Sequence, residues 1–152
     1  MQYCISYNLN IAISFQLKQG HRMTHEDNIS NCCPSLRTIA MPADANANGD
    51  IFGGWLLSQM DLAGGVFTAK ISKSRITTVG IDAMSFHEAV NVGDEISCYC
   101  KLERIGRTSM TIIIESWARD RKEDNPKKVT EGKFTYVAID ENGRPIPVKR
   151  EA

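Results

Sequence analysis

Residues Ile51–Ala69 read IFGGWLLSQMDLAGGVFTA, nineteen positions in which Asp61 is the only charge. The stretch is long enough to cross a bilayer, but Gly53, Gly54, Gly64 and Gly65, with Ser58, Gln59 and a central carboxylate, make insertion unfavourable. A buried helix is the better reading. Trp55, Leu56, Met60, Ala63 and Phe67 recur at steps of one to four residues, as one helix face requires, and Leu57, Leu62 and Val66 widen the apolar stripe almost all the way round. A helix with so little polar surface needs something wrapped around it.

The flanking sequence supplies the wrapping. Upstream, the short run Leu36–Met41 stops at Pro42 as a first strand would, and a polar loop, Ala43–Asp50, leads into the helix. Downstream, Arg75–Phe86, Asp94–Arg104, Ser109–Arg119 and Lys127–Asp140 are rich in β-branched and aromatic residues. Each exceeds the usual strand length of about five or six residues, which predicts a long, strongly curved antiparallel sheet. Turn signals separate the strands at Asn91–Asp94, at Gly106, in the charged stretch Asp120–Lys128 and at Asn142–Gly143. The expected class is α+β, a sheet packed on a single helix. One helix covers one face, whereas Ile112-Ile113-Ile114 reads as buried on both sides, so a second protomer is expected to complete the fold.

Composition narrows the classes further. At 152 residues with 42% apolar content the chain suits one domain with an ordinary core. Eighteen basic and eighteen acidic residues cancel, leaving no general footprint for nucleic acid or an anionic membrane, so an anionic ligand must be met by a local cluster. Five cysteines, Cys4, Cys32, Cys33, Cys98 and Cys100, make a poor disulfide framework and read as reduced thiols of a cytoplasmic protein. No metal site is expected, because His21 and His25 lie in a polar leader and His87 stands alone. Met1–Gln16 lacks the basic start of a signal peptide. Residues 1–34 are expected to be a flexible extension or the product of an upstream translation start, and 35–152 the functional domain.

Asp61 is the first candidate for chemistry. A lone carboxylate in an apolar helix is costly unless it is partnered, neutralised or working, and burial favours its neutral form. That suits a general base or a nucleophile; the plain alternative is a carboxylate that faces solvent or bonds a neighbouring backbone. Gly53-Gly54 opens the helix, where bare backbone lets a ligand approach and unpaired N–H groups can receive an oxyanion, although helix entry and close packing also use glycine. Ahead of it, the loop Asp44–Asp50 either forms turns, with Asp50 as N-cap, or offers an amide such as that of Asn46 to a carbonyl or a water. Gly54 and Asp61 are seven positions apart, about 10 Å along a helix. One chain cannot bring both to one small carbonyl; a two-fold dimer can, with Asp61 of one protomer facing Asn46 and Gly54 of the other.

The run LRTIAMPADANANGDIFGGWLLSQMD, followed by VGIDAMSF, VGDEISCYCKLERIGRTSM and KFTYVAID, resembles the YciA-type acyl-CoA thioesterases of the hotdog superfamily, over Leu36 to Pro147. The resemblance implies a long helix wrapped by a curved antiparallel sheet, assembled as dimers and commonly as hexamers, that is, trimers of dimers. It places the essential carboxylate on Asp61, the helix-start amide on Gly54, with Gly53 beside it in the substrate path, and the asparagine of related hydrolases on Asn46. The turn Arg107-Thr108-Ser109, with Arg75 as a second cation, resembles positions near the CoA nucleotide, and equally suits an ordinary surface turn. Acyl-CoA is then the substrate, and no metal or redox cofactor is implied. Two alternatives stand beside this reading. One is a non-catalytic acyl-CoA-binding module on the same fold. The other is enoyl-CoA hydration or dehydration using Asp82 and His87, a pair that follows the helix instead of preceding it and lacks the Asn-Pro between.

Overall fold

The computed structural model describes residues 33–148, so all but the last two positions of the expected extension, residues 1–34, lie outside the described residues. Strand β1 (Leu36–Ile39) leads through a short 3-10 turn, Pro42–Asp44, to helix α1 (Gly53–Ser72). Four strands follow: β2 (Arg75–Phe86), β3 (Glu95–Ile105), β4 (Ser109–Arg119) and β5 (Lys127–Ile139). All pairings are antiparallel, in the order β1-β3-β4-β5-β2. The strands that flank the helix in sequence are therefore the two edges of the sheet. To join them, α1 must cross the whole concave face, and it packs against all five strands. Register shifts within β2, β3 and along the β4–β5 pair bend the strands over it, as extra residues on one strand do.

The inward positions follow the two-residue period of a pleated strand: Met110, Ile112 and Ile114 on β4 and Phe134, Tyr136 and Ala138 on β5 are fully buried. The helix meets them with Leu56, Met60, Ala63, Gly64 and Thr68, spaced by three, four or one residues along one face. Each large apolar side chain so buried contributes roughly 1.5–3 kcal/mol. Within one chain Ile113 is half-buried, because a one-residue step turns it to the convex face, away from the helix. The wrapping is likewise one-sided. Leu62 (57% exposed) and Val66 (47%) lie bare on the helix flank that the sheet does not reach.

The helix begins two residues later than its apolar pattern. Ile51 donates to the Val90 carbonyl and Phe52 to that of Asp44, which keeps both extended, so Phe52 and not Asp50 occupies the N-cap and no side chain caps the end. At the other end Lys73 adopts the left-handed conformation, φ 51°, and its N–H closes on the Ala69 carbonyl.

Candidate active site

Asp61 lies midway along α1, beside the junction of β2 and β5. Thr78 on β2 and Tyr136 on β5 are directly opposed partners in register, so both side chains rise from the same face of the sheet beneath the helix. The Thr78 hydroxyl donates to Asp61 Oδ1 at 2.7 Å, and the Tyr136 phenol donates to the same oxygen at 3.1 Å while also reaching the Asp61 carbonyl at 3.2 Å. The carboxylate is thus partnered by two side chains, neither of which its sequence neighbourhood reveals. Tyr136 is fully buried, and burial first, the adjacent Asp61 charge second, raise its phenol well above the ordinary tyrosine range, so it remains a hydrogen-bond donor. Asp61 Oδ2 accepts no bond among the described residues and is not among the buried polar atoms left unpaired, so it opens toward solvent.

At the head of the helix a second set of groups is available. The amides of Trp55 and Leu56 both reach the Phe52 carbonyl, whereas those of Gly53 and Gly54 find no acceptor among the described residues. Asn46 sits nearby because an isolated bridge, Ala45 to Ile51, folds its loop back onto the helix entry. Its Oδ1 accepts from the backbone N–H groups of Asn48 (2.8 Å) and Asp50 (3.2 Å). That fixes the amide orientation and leaves the Nδ2 hydrogens without an acceptor among the described residues, available to donate. A cavity of about 340 Å³, lined by Ile51, Gly53, Leu56, Phe86 and His87 among others, opens at this end.

Within one chain the two sets stay apart, since seven helical residues separate Gly54 from Asp61 by about 10 Å. The structure does gather the expected CoA-binding residues at one end of the sheet. Arg75 pairs with Ile139, Ser109 pairs with Val137, and the Ala138 N–H donates to the Thr108 carbonyl at 2.9 Å. This is the end nearer Asp61, because Thr78 and Tyr136 occupy the adjoining positions of the same strands. Arg107 is exposed, while the Arg75 guanidinium donates to the Glu141 carbonyl at 3.1 Å. Asp82 is exposed on β2, and His87 lies beyond the strand with its N–H on the Val129 carbonyl. Among the described residues no cluster of His, Cys, Asp or Glu side chains is placed to hold a metal, and no helix is long and apolar enough to cross a membrane.

One long helix held in a curled five-stranded antiparallel sheet is the arrangement of a hotdog-fold protein. The family model for the thioesterase superfamily matches residues 48–124. An uncharacterised acyl-CoA thioester hydrolase of Zymomonas mobilis is 49% identical over 115 residues, covering 76% of this chain and 77% of the relative. The acyl-CoA thioester hydrolase YciA of Escherichia coli is 46% identical over 119 residues, covering 75% and 90%. Among solved structures, HI0827, a hexameric broad-specificity acyl-coenzyme A thioesterase crystallised as an aspartate-to-alanine mutant, superposes with a TM-score of 0.75 at 41% identity, covering 78% of this chain and 87% of that one. The chain belongs to the thioesterase superfamily, and within it to the YciA-type acyl-CoA thioester hydrolases, the family its motifs resemble.

Proposed function

We propose that this protein hydrolyses acyl-CoA thioesters to free CoA and a carboxylic acid, with Asp61 as the group that activates water. The observation that carries the mechanism is the asymmetry of the carboxylate: Oδ1 is held by two hydroxyls and Oδ2 is open. Water gives a proton to Oδ2 as its oxygen adds to the thioester carbonyl carbon. Collapse of the tetrahedral species breaks the C–S bond, and the proton passes to the departing CoA sulfur. The negative charge that develops on the carbonyl oxygen requires donors, and the Gly54 N–H and the Asn46 amide are such donors.

They come from a second protomer. Strand β2 is an edge twelve residues long with Val79 (58%) and Ile81 (40%) exposed, a ready template for another β2. A two-fold axis makes that pairing antiparallel, which sets the Thr78 end of one strand opposite the Phe86 end of the other. Asp61 bonds Thr78, and the Phe86 ring lies against Gly53. The pairing therefore carries Asp61 of one protomer toward the helix head of its partner. Further association into hexamers follows the state of HI0827. We assign the Arg107–Ser109 turn and Arg75 to the CoA phosphates, residues 35–152 to the functional domain, and the cytoplasm as the compartment that keeps Cys33, Cys98 and Cys100 as free thiols.

The test is thiol release from short, medium and long acyl-CoAs. Wild type should turn over, and Asp61→Asn should fold normally while kcat falls by about a thousandfold or more, the scale of losing a principal catalytic group. A well-folded Asp61→Asn protein with near-normal turnover sinks the assignment. In a single turnover in ¹⁸O water, solvent oxygen should enter the acid product; enzyme-derived oxygen there would show that Oδ2 itself attacks the carbonyl.

A further inference from the structure

The structure assigns a positioning role to Tyr136 and Thr78: their two hydroxyls clamp Oδ1 of Asp61 and so make Oδ2 the reacting oxygen. This rests on the thioesterase reading above and deepens it.

Three independent features point the same way. The first is convergence, since both donors reach one oxygen of the carboxylate and neither reaches the other. Hydrogen bonds made only to strengthen the fold would serve equally well if divided between the two. The second is the route taken by the phenol. Tyr136 comes from the middle of the sheet, with its ring fully buried and stacked near that of Phe134, centroids 6.4 Å apart. Its oxygen passes directly under the helix backbone at Gly64, where any side chain would block it. The third is chemical. A phenol that burial keeps protonated supplies a permanent donor, and a threonine hydroxyl is neutral at all working pH, so the clamp orients the carboxylate without adding a competing base.

A free aspartate side chain rotates about two torsions. Fixing one oxygen from two directions leaves the second pointing along a single line, which is the condition for proton transfer to an attacking water. Tyr136 and Thr78 act through Asp61 and need not touch the substrate.

The experiment compares full-length wild type, Asp61→Asn, Tyr136→Phe, Thr78→Val and the double variant Asp61→Asn/Tyr136→Phe, by steady-state hydrolysis of hexanoyl-CoA and by thermal melting. Each hydroxyl variant should lower kcat by about 10- to 100-fold, the range for a catalytic group set slightly out of place. KM should stay within about twofold, since substrate contacts are untouched. In the Asp61→Asn background, Tyr136→Phe should cost nothing further in residual rate, because the group it positions is gone. A purely packing role would lower the melting temperature and leave kcat alone. Hydroxyl variants with normal kcat beside an inactive Asp61→Asn overturn the clamp and leave Asp61 standing, as does a loss confined to KM. An active Asp61→Asn overturns the function reading and the clamp with it. If Tyr136→Phe does not fold, Thr78→Val decides alone, since it removes the other donor to Oδ1 from a half-buried strand position.

Discussion

Gly64 and Tyr136 are fitted to one another: a methyl group added at Gly64 would overlap the phenol oxygen and stand 2.7 Å from both Tyr136 Cζ and Ile114 Cδ1. At the neighbouring Gly65 the same methyl would meet only Ile76 Cδ1, at an ordinary 3.7 Å. Two adjacent helical glycines should therefore respond in opposite directions. Alanine in a helix is favoured over glycine by about 1 kcal/mol, whereas overpacking a core costs about 1–3 kcal/mol. Gly65→Ala should leave the melting temperature unchanged or raise it. Gly64→Ala should lower it and, by displacing the ring, lower kcat as well; equal melting temperatures for the two would contradict the fit.

A site divided between protomers can be rebuilt from two broken ones. Asp61→Asn and Asn46→Ala should each be nearly inactive as pure proteins. Co-expressed, they form mixed dimers in which one site has both defects and the other has neither, so random pairing restores roughly a quarter of wild-type activity. Sites contained within single chains would give no recovery.

The same arrangement makes the β2 edge essential for activity. Val79→Asp places a charge on that edge strand at its most exposed apolar position in the paired stretch, one that takes no place in the β5 register. Light scattering should show smaller particles, circular dichroism should show the native strand and helix content, and thiol release should be lost. Full activity in a protein shown to be monomeric would exclude the shared site.

Cys100 supplies a prediction about alkaline pH. Burial pushes its thiol above the ordinary cysteine range to about 11, with a hydrogen bond from Ser35 working against that rise and Cys98 adding to it. The folded state thus holds the proton more tightly than the unfolded state. Its contribution to stability is fully present below about pH 9 and is lost as pH rises toward about 11. Maleimide labelling at pH 7.5 should spare Cys98 and Cys100 in the native protein and reach both after denaturation, read by peptide mass spectrometry. The melting-temperature gap between wild type and Cys100→Ala should narrow as pH rises from 8 to 10.5; a constant gap would remove the thiol's titration from the account.

Much of the fold is legible in local patterns. Arg75–Phe86 and Ser109–Arg119 are bounded in the sequence where the strands begin and end, because a charged or glycine-bearing turn stops each run of β-branched residues. Asp61, Asn46 and the Gly53-Gly54 pair stand out by residue type alone. The partners of Asp61 do not. Thr78 is 17 residues away and Tyr136 is 75, and they meet the carboxylate only through the β2–β5 register, which no short pattern encodes. Gly64, which in the sequence weighs only against a membrane span, is the one local trace of Tyr136. The N-cap, expected at Asp50 and found at Phe52, escapes local pattern for a similar reason. The bonds that hold Ile51 and Phe52 extended include one to Val90, far along the chain.

The sheet order has a consequence for synthesis. During translation β1 and α1 are made before the other elements, yet β1 pairs with β3 alone, and β4 and β5, two of the strands against which α1 packs, are the last to be made. The most apolar segment of the chain must therefore leave the ribosome before its cover is complete, with only β1, β2 and β3 at hand until β4 and β5 emerge, and it is in that interval that the chain is most exposed to aggregation.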